Sequence, residues 1–316
     1  MSLKILNIEP KDYSEKARVV LKTLGTLFEE EVRLDELPEK LSGIDVLITR
    51  LGFSLDGTIL EKADQLKVII SGTTGLDHID LDYCAKKNIT VLSLQGETEF
   101  LNSISSTAEH TFGLILALIR KIPFAFDDVK SGGWRRDQFK GYQLQGKRLG
   151  IVGYGRLGRQ VAKMAKAFQM EVGAFSEGKI DGEVQSFSTL DELLVWSDIL
   201  TLHVPLNEQT RNMISKQELS KLSKGAYLIN TSRGGLIDEE ALLEVLTENQ
   251  LAGAAVDVVV SEHKLLNGTS PMVEYAKTHD NLIITPHLGG ATFDAMEQVE
   301  LFMAEKLKKH LEGAVT

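Results

Sequence analysis

GKRLGIVGYGRLGRQVAKMAKAFQMEVGAFSE, residues 146–177, reads as a strand, a glycine-rich turn, a helix and a second strand. Leu149, Ile151 and Val152 form a short apolar run that stops at Gly153-Tyr154-Gly155-Arg156-Leu157-Gly158, as a buried parallel strand does on entering a tight turn. Beyond the turn, Leu157, Val161, Met164, Ala165 and Phe168 recur at helical spacing, which leaves Arg159, Lys163 and Lys166 for solvent. Glu171 to Phe175 starts the second strand. Each glycine has a mechanical role: Gly153 makes the sharp turn, Gly155 lets the backbone approach a pyrophosphate, and Gly158 lets helix and strand pack closely. The N–H groups of the first helical turn are unpaired, and with the helix dipole they favour an anion there. Glycine also makes bare turns, so the three alone carry little weight. The strand before them and the helix after them point to dinucleotide binding.

One position departs from that pattern. An acid is expected about 20 residues after the first glycine, at the end of the second strand, to hold the adenosine ribose hydroxyls. Ser176 stands there, followed by Glu177. Ser176 leaves room for a ribose phosphate, whereas Glu177 turned inward restores the acid, so NAD and NADP both stay open.

At 316 residues the chain suits two domains of about 150 residues. Hydrophobic residues at 43% and charged residues at 25% place it among soluble globular proteins rather than disordered ones. The net charge of −10 argues against a nucleic-acid surface, because phosphate contacts need clustered Lys and Arg. The basic clusters are short, Arg135-Arg136 and Lys306 to Lys309, the latter in the last turns of a predicted helix where positive charge is favourable. Cys84 is the only cysteine, which excludes an internal disulfide and suits a reducing, cytoplasmic compartment. MSLKILNIEP lacks the apolar core of a signal peptide, and no apolar run approaches the length of a membrane span.

Elsewhere strands and helices alternate, the pattern of a parallel α/β sheet. Strands are predicted at 4–8, 45–49, 67–70, 90–94, 199–204, 226–231, 251–259 and 281–285. Helices are predicted at 14–24, 57–63, from 106, after 121, at 214–222, from the Asp238 cap to 248, and at 292–311. In the last of these Val299, Phe302, Met303 and Leu307 share one face, and the helix ends near Gly313. The loop SGTTGLDHID, residues 71–80, follows a strand and is able to present backbone N–H groups to a carboxylate. The apolar stretch Phe112 to Ile119 is broader than a one-sided helix needs, consistent either with a second subunit or with burial in the chain. No Pro- or Ser-rich linker and no repeat interrupts the sequence, which puts the domain boundary in the crossover near 102–106.

Ligands of open parallel sheets bind at the carboxyl ends of the strands. Arg233, Glu262 and His287 each follow a predicted strand, and all three are expected at one crevice. Taken singly each has an ordinary reading: a solvated arginine, one surface acid among many, a loop histidine after Pro286. His287 is the least ordinary, because Gly289-Gly290 lets backbone approach a ligand beside it. His263 adjoins Glu262 and His203 lies in a predicted strand, while His78, His110, His279 and His310 read as structural or exposed. No HExxH or cysteine cluster is present, so no metal site is expected. Together the three suit redox chemistry at a carbinol beside a carboxylate. A guanidinium forks to the carboxylate, an imidazole moves the hydroxyl proton, and a carboxylate orients the imidazole and favours its protonated form.

With these residues in view the chain resembles the D-isomer-specific 2-hydroxyacid dehydrogenases over nearly its whole length. The motifs agree in order: TTGLDHID (73–80), STAEHT (106–111), GYGRLG (153–158), HVPLNEQT (203–210), INTSRGGLID (229–238), AGAAVDV (252–258) and TPHLGGAT (285–292). The resemblance implies that Arg233 binds the substrate, Glu262 is the partner acid and His287 the acid/base. It implies that Thr74 and Gly75 hold the substrate carboxylate. Positions implied to line the cofactor are Thr107, Gly153, Gly155, Arg156, Leu157, Gly158, Ser176, Val204, Pro205, Thr231, Ser232, Arg233, Asp257, His287 and Gly289. Val260 stands where the family usually has a further acid.

The implied architecture is α/β with two doubly wound parallel-sheet domains: a Rossmann NAD(P)-binding domain, residues 105–291, inserted into a flavodoxin-like substrate domain, residues 1–104 and 292–316. A homodimer built by the crossover helix and the wrapping segment after it is implied too, as is a short form without a regulatory domain. The expected activity is hydride transfer between a nicotinamide cofactor, NAD or NADP, and a small D-2-hydroxy acid/2-keto acid pair. The alternative is an NAD(H)-sensing, non-enzymatic binding protein of the corepressor type on the same scaffold. A formate dehydrogenase is disfavoured, since Glu262 stands where that enzyme is expected to carry glutamine. Arg50, Leu51 and GETEFL (96–101) are positions whose effect on the pocket these motifs do not fix.

Overall fold

Two sheets, in which every pairing among the described residues is parallel, organise the computed structural model, which describes residues 2–262, 265 and 268–313. The chain divides into two compact units: the described residues of Met1–Ser103 with Thr292–Thr316, and Ile104–Ala291.

The first unit contains β1 (Leu3–Asn7), β2 (Gly25–Glu29), β3 (Val46–Thr49), β4 (Val68–Ser71) and β5 (Thr90–Leu92), in the order β2-β1-β3-β4-β5. Alternate residues of each strand feed opposite faces. Ile5, Val46, Ile48, Val68 and Ile70 pack on one side with Leu21, Met303 and Leu307, while Leu6, Leu47 and Ile69 pack on the other with Leu37, Leu41 and Leu60. The terminal helix Phe293–Gly313 is part of this unit.

The second unit contains β6 (Arg148–Val152), β7 (Glu171–Phe175), β8 (Gln185–Ser186), β9 (Ile199–Leu202), β10 (Ala226–Asn230), β11 (Leu251–Val256) and β12 (Leu282–Ile284). Their order is β12-β11-β10-β9-β6-β7-β8. The chain therefore reverses its direction of travel between β6 and β9, as it does between β1 and β3 in the first unit. Such switch points open a crevice at the carboxyl ends of the strands.

Several expectations change. The edge strand β2 escapes the sequence pattern because the helix Glu15–Leu24 runs into it with no intervening loop. Gly25 makes the join, where a Cβ would lie 2.2 Å from the Leu3 carbonyl oxygen. The strand predicted at 251–259 stops at Val256, freeing 257–262 to form the loop that carries Glu262. The strand predicted to include His203 ends at Leu202. Phe168, expected on the apolar face of its helix, caps the helix end and is 41% exposed. The broad apolar stretch of the crossover helix Ser106–Ile119 is used inside the chain: Phe112, Leu114, Ile115, Leu118 and Ile119 are all buried. Exposed apolar side chains follow it instead, Ile122, Phe126 and Val129 on the helix Ile122–Lys130, then Trp134 and Tyr142. Among the described residues no helix is long and apolar enough to cross a membrane.

Candidate active site

The turn after β6 has a physical reason at each glycine. Gly153 has φ +93°, and a Cβ there would sit 2.5 Å from the His203 carbonyl oxygen and 2.7 Å from Val204 Cγ1. Only glycine fits both the backbone and the space. A Cβ on Gly158 would lie 2.2 Å from the Gly153 carbonyl oxygen, so the helix Arg156–Ala167 seats against the strand end. Gly155 differs, since nothing stands within 4 Å of where its Cβ would be. It is also the N-cap and brings no side chain to the first-turn amides, which are thus left for an anion. Open space over uncapped amides is what a dinucleotide pyrophosphate requires, and these residues fit it.

Around the turn, Arg156 is half-buried, its Nη1 donating to the Ile104 carbonyl at 3.2 Å, and burial pulls its guanidinium below the ordinary value. Leu157 is half-buried and Val204 borders Gly153. Pro205 is exposed, and its carbonyl accepts from Thr210 Oγ1 at 2.7 Å. Ser176 directly follows β7, half-buried, with its Oγ accepting from the Gly178 amide at 3.3 Å. Glu177 is exposed, so the inward-turned acid is not the arrangement found.

Asp257, at the end of β11, is 1% exposed and fully engaged. Its Oδ1 accepts from His110 Nε2 at 3.0 Å, Thr285 Oγ1 at 2.5 Å and the Leu288 amide at 2.8 Å, and its Oδ2 accepts from the Gly289 amide at 2.8 Å. Burial pushes this carboxyl up, but the hydrogen bonds from His110, Thr285, Leu288 and Gly289 together hold it below its ordinary value. Asp257 is therefore the anchor of the loop 285–289. In the sequence His110 reads as structural or exposed, although it stands in the motif STAEHT; the contact spans 147 positions and no local pattern encodes it.

That anchored loop holds His287 in the left-handed region, φ +55°, with its amide donating to the Asp257 carbonyl at 2.9 Å. A non-glycine residue held there is strained, and strain of this kind concentrates at functional sites. His287 Nδ1 lies 2.7 Å from Glu262 Oε2. The ring is 23% exposed and the carboxylate 37%, so the pair is open on one side with Nε2 left for a ligand. The loop bearing Glu262 is fixed too. The Val259 amide donates to Glu262 Oε1 at 3.3 Å, and the Val260 amide to Glu239 Oε1 at 2.6 Å. Burial, then the charge of Glu262, pushes the Glu239 carboxyl up against the pull of that amide.

Arg233 follows β10, the strand beside β11, and its Nη1 donates to the Ser232 carbonyl at 2.8 Å. Asn230 Nδ2 donates to the Arg233 carbonyl at 2.8 Å, while Ser232 Oγ donates to the Leu202 carbonyl at 2.7 Å. Gly234 packs so tightly that a Cβ would lie 2.2 Å from the Val259 carbonyl carbon, which ties the arginine loop to the glutamate loop. Thr231 Oγ1 is 2.8 Å from Thr111 Oγ1, which in turn donates to the Thr107 carbonyl. A Cβ on Gly289 would be 3.1 Å from Asp257 Oδ2 and 3.2 Å from Thr107 Cγ2. Thus Thr107, Thr231, Asp257, His287 and Gly289 form one packed cluster.

In the first unit, Thr74 is exposed and Gly75 half-buried in the loop after β4; the Gly75 carbonyl accepts from Thr73 Oγ1 at 2.7 Å. His203 has its Nε2 3.0 Å from Thr201 Oγ1, and its Nδ1 is buried without a hydrogen-bond partner among the described residues. Burial lowers its pKa from 6.5 to about 4. His263 lies outside the described residues. Among those described, no group of three or more His, Cys, Asp or Glu is arranged to hold a metal ion.

Residues 112–289 match the sequence profile of the D-isomer specific 2-hydroxyacid dehydrogenase NAD binding domain. The chain is 39% identical over 284 residues to the D-3-phosphoglycerate dehydrogenase of Methanocaldococcus jannaschii, covering 88% of this chain and 52% of that protein. It is 36% identical over 283 residues to the hydroxypyruvate reductase of Thermotoga maritima, covering 89% and 90%. The chain thus spans about half the length of the phosphoglycerate dehydrogenase and most of the reductase. Among solved structures, D-lactate dehydrogenase from Aquifex aeolicus, complexed with NAD and lactic acid, superposes with a TM-score of 0.86 at 30% identity, covering 98% of this chain and 96% of that one. Profile, relatives and fold agree, and the chain belongs to the D-isomer specific 2-hydroxyacid dehydrogenase family.

Proposed function

We propose that this chain is a nicotinamide-dependent oxidoreductase that interconverts a small D-2-hydroxy acid and its 2-keto acid. The observation that carries the reading is the 2.7 Å contact between His287 Nδ1 and Glu262 Oε2, on adjacent strand ends of the sheet that also carries the open glycine turn. Relatives named as dehydrogenases and reductases support catalysis over sensing.

Gly153, Gly155 and Gly158 with the first turn of the helix Arg156–Ala167 hold the pyrophosphate; Ser176, Pro205, Thr107 and Asp257 border the remainder. A bound nicotinamide supplies or takes up the hydride. Glu262 fixes the tautomer of His287, so that Nε2 gives a proton to the 2-keto oxygen in reduction and takes it back in oxidation. Arg233 forks to the substrate carboxylate, and the backbone at Thr74 and Gly75 takes part in holding it. Ser176 in place of an acid makes NADP acceptable beside NAD. The exposed side chains of Ile122, Phe126, Trp134 and Tyr142 support a homodimer through this segment.

The test is absorbance at the reduced-nicotinamide band, with NADH and NADPH each offered against a panel of 2-keto acids. Oxidation of either cofactor that depends on a keto acid is the expected result. None with any pair would end the enzymatic reading.

A further inference from the structure

Glu262 ends a short loop, 257–262, that has left its sheet, and the aim of its side chain depends on how that loop is turned. Val258 and Val259 are buried and fix the first half. Beyond them Val260 is exposed, and Ser261 stands in the left-handed region at φ +58°, which is unfavourable for a residue with a side chain. The turn brings Glu262 back, so that its Oε1 accepts from the Val259 amide at 3.3 Å and its Oε2 meets His287 Nδ1 at 2.7 Å. Both contacts are made by the side chain that the turn has to aim.

The turn itself is held from another segment of the same unit. Glu239 Oε1 accepts from the Val260 amide at 2.6 Å, across 21 positions of sequence. Glu239 is the first residue of the helix Glu239–Thr247 and is half-buried. An acid in a first helical turn ordinarily serves the helix by its charge. Here others fill that role: Asp238 Oδ1 accepts from the Ala241 amide, and Glu240, which is exposed, places a charge in the same turn. Burial and then the charge of Glu262 work against ionised Glu239, and the Val260 amide draws it back. Gly234 permits the approach, because a Cβ there would lie 2.5 Å from the Val260 nitrogen. Arg233, Gly234 and Glu239 belong to one stretch of chain, which therefore carries the arginine and ties down the loop of the glutamate.

We propose that Glu239 is a positioning residue: by holding the Val260 amide it sets the turn at Ser261 and aims Glu262 at His287 Nδ1. This rests on the dehydrogenase reading and deepens it, adding to Arg233, Glu262 and His287 a group that acts only through Glu262. When the hold is lost, His287 keeps its place on the loop 285–289, which Asp257 anchors, but loses the acceptor that fixes its tautomer.

Two conservative variants separate this role from service to the helix. Glu239→Asp keeps the charge in the first turn and is one methylene short of the Val260 amide. Glu239→Gln keeps the reach and the acceptor oxygen and loses the charge. In steady-state reduction of a 2-keto acid, Glu239→Asp should lower kcat by about tenfold or more with the cofactor KM within about twofold, while Glu239→Gln stays within about threefold of wild-type kcat. Wild-type turnover in Glu239→Asp, an equal loss in Glu239→Gln, or a cofactor KM that changes as much as kcat overturns the proposal. The second measurement is proton NMR of protein isotope-labelled at histidine. The His287 Nδ1–H signal, assigned by its absence in His287→Ala, should lie far downfield in wild type and Glu239→Gln and move upfield or broaden away in Glu239→Asp. Its absence from wild type, or one position in all three proteins, overturns the proposal. The spectra need no substrate. A wild type that turns over no keto acid ends the dehydrogenase reading, and the spectra still decide whether Glu239 holds the pair. An active wild type matched by Glu239→Asp ends the positioning role and leaves that reading standing. Should Glu239→Asp not fold, Glu239→Ala takes its place with the same expectations.

Discussion

Each sheet has one switch point, after β6 in the second unit and after β1 and β3 in the first, and the chain finishes them in opposite ways. After β6 it withholds side chains: Gly155 leaves open space above uncapped amides. After β1 and β3 it supplies them, and Glu300, Arg50 and Glu9 satisfy one another. The same topology thus yields a ligand site or a closed joint according to a handful of residues. Under the proposed function the difference also locates the chemistry, because the strained histidine and its glutamate lie on the sheet with the open point.

The comparison breaks most sharply at His287. Replacement by Ala should lower kcat by about 10² to 10⁴ in steady-state assays, since proton transfer then falls to water. Unchanged turnover would remove the chemistry from this sheet. A stability pair sharpens the contrast next. Gly153→Ala forces φ +93° on a Cβ that meets the His203 carbonyl, and should cost about 3 kcal/mol in denaturant unfolding. Gly52→Ala, after β3, meets only the movable end of Glu9 at 2.9 Å and should cost about 1 kcal/mol or less. Similar losses at both positions would mean the two ends are equally rigid.

Acid tests the open end in another way. His203, beside Gly153, has its folded pKa lowered to about 4 from 6.5, so the unfolded chain takes up the proton first as pH falls. Its contribution is complete above pH 6.5 and is lost between 6.5 and about 4, amounting to about 3 kcal/mol. Urea midpoints across that window should fall less steeply for His203→Gln, and identical slopes would show that another group titrates. Smaller still is the cofactor effect. Ser176→Asp should move the NADH/NADPH preference towards NADH by about tenfold, read as a kcat/KM ratio. An unmoved ratio would exclude Ser176 as the reader. The smallest effect on the folded unit is expected at Phe126→Asp, a 61% exposed position. It should change unfolding by about 0.5 kcal/mol or less while shifting size-exclusion elution from dimer to monomer.

The open switch point was legible in the sequence and the closed one was not, for a physical reason. Glycines at 153, 155 and 158 stand in one short motif between an apolar strand and a helix, and His287 is marked by its own neighbours Pro286 and Gly289. Glu300 is an acid within a helix, and periodicity alone assigns acids to solvent. Its burial comes from Ser14 and Arg50, 286 and 250 positions away. The anchoring of Asp257 by His110 was hidden in the same way. The apolar breadth of Phe112 to Ile119, which left burial and a second subunit both open in the sequence, packs against β10 and β11 inside the unit.

The first unit is completed by Phe293–Gly313, a helix separated from its sheet by the entire second unit. During synthesis Met303, Ala304 and Leu307 emerge only after the whole inserted unit, so the apolar face formed by Ile5, Val46, Ile48 and Ile70 stays uncovered until then. The inserted unit, being one continuous segment, is free to acquire its structure while the nascent chain is still attached. The sheet of the first unit therefore has to wait for that helix before its apolar face is closed.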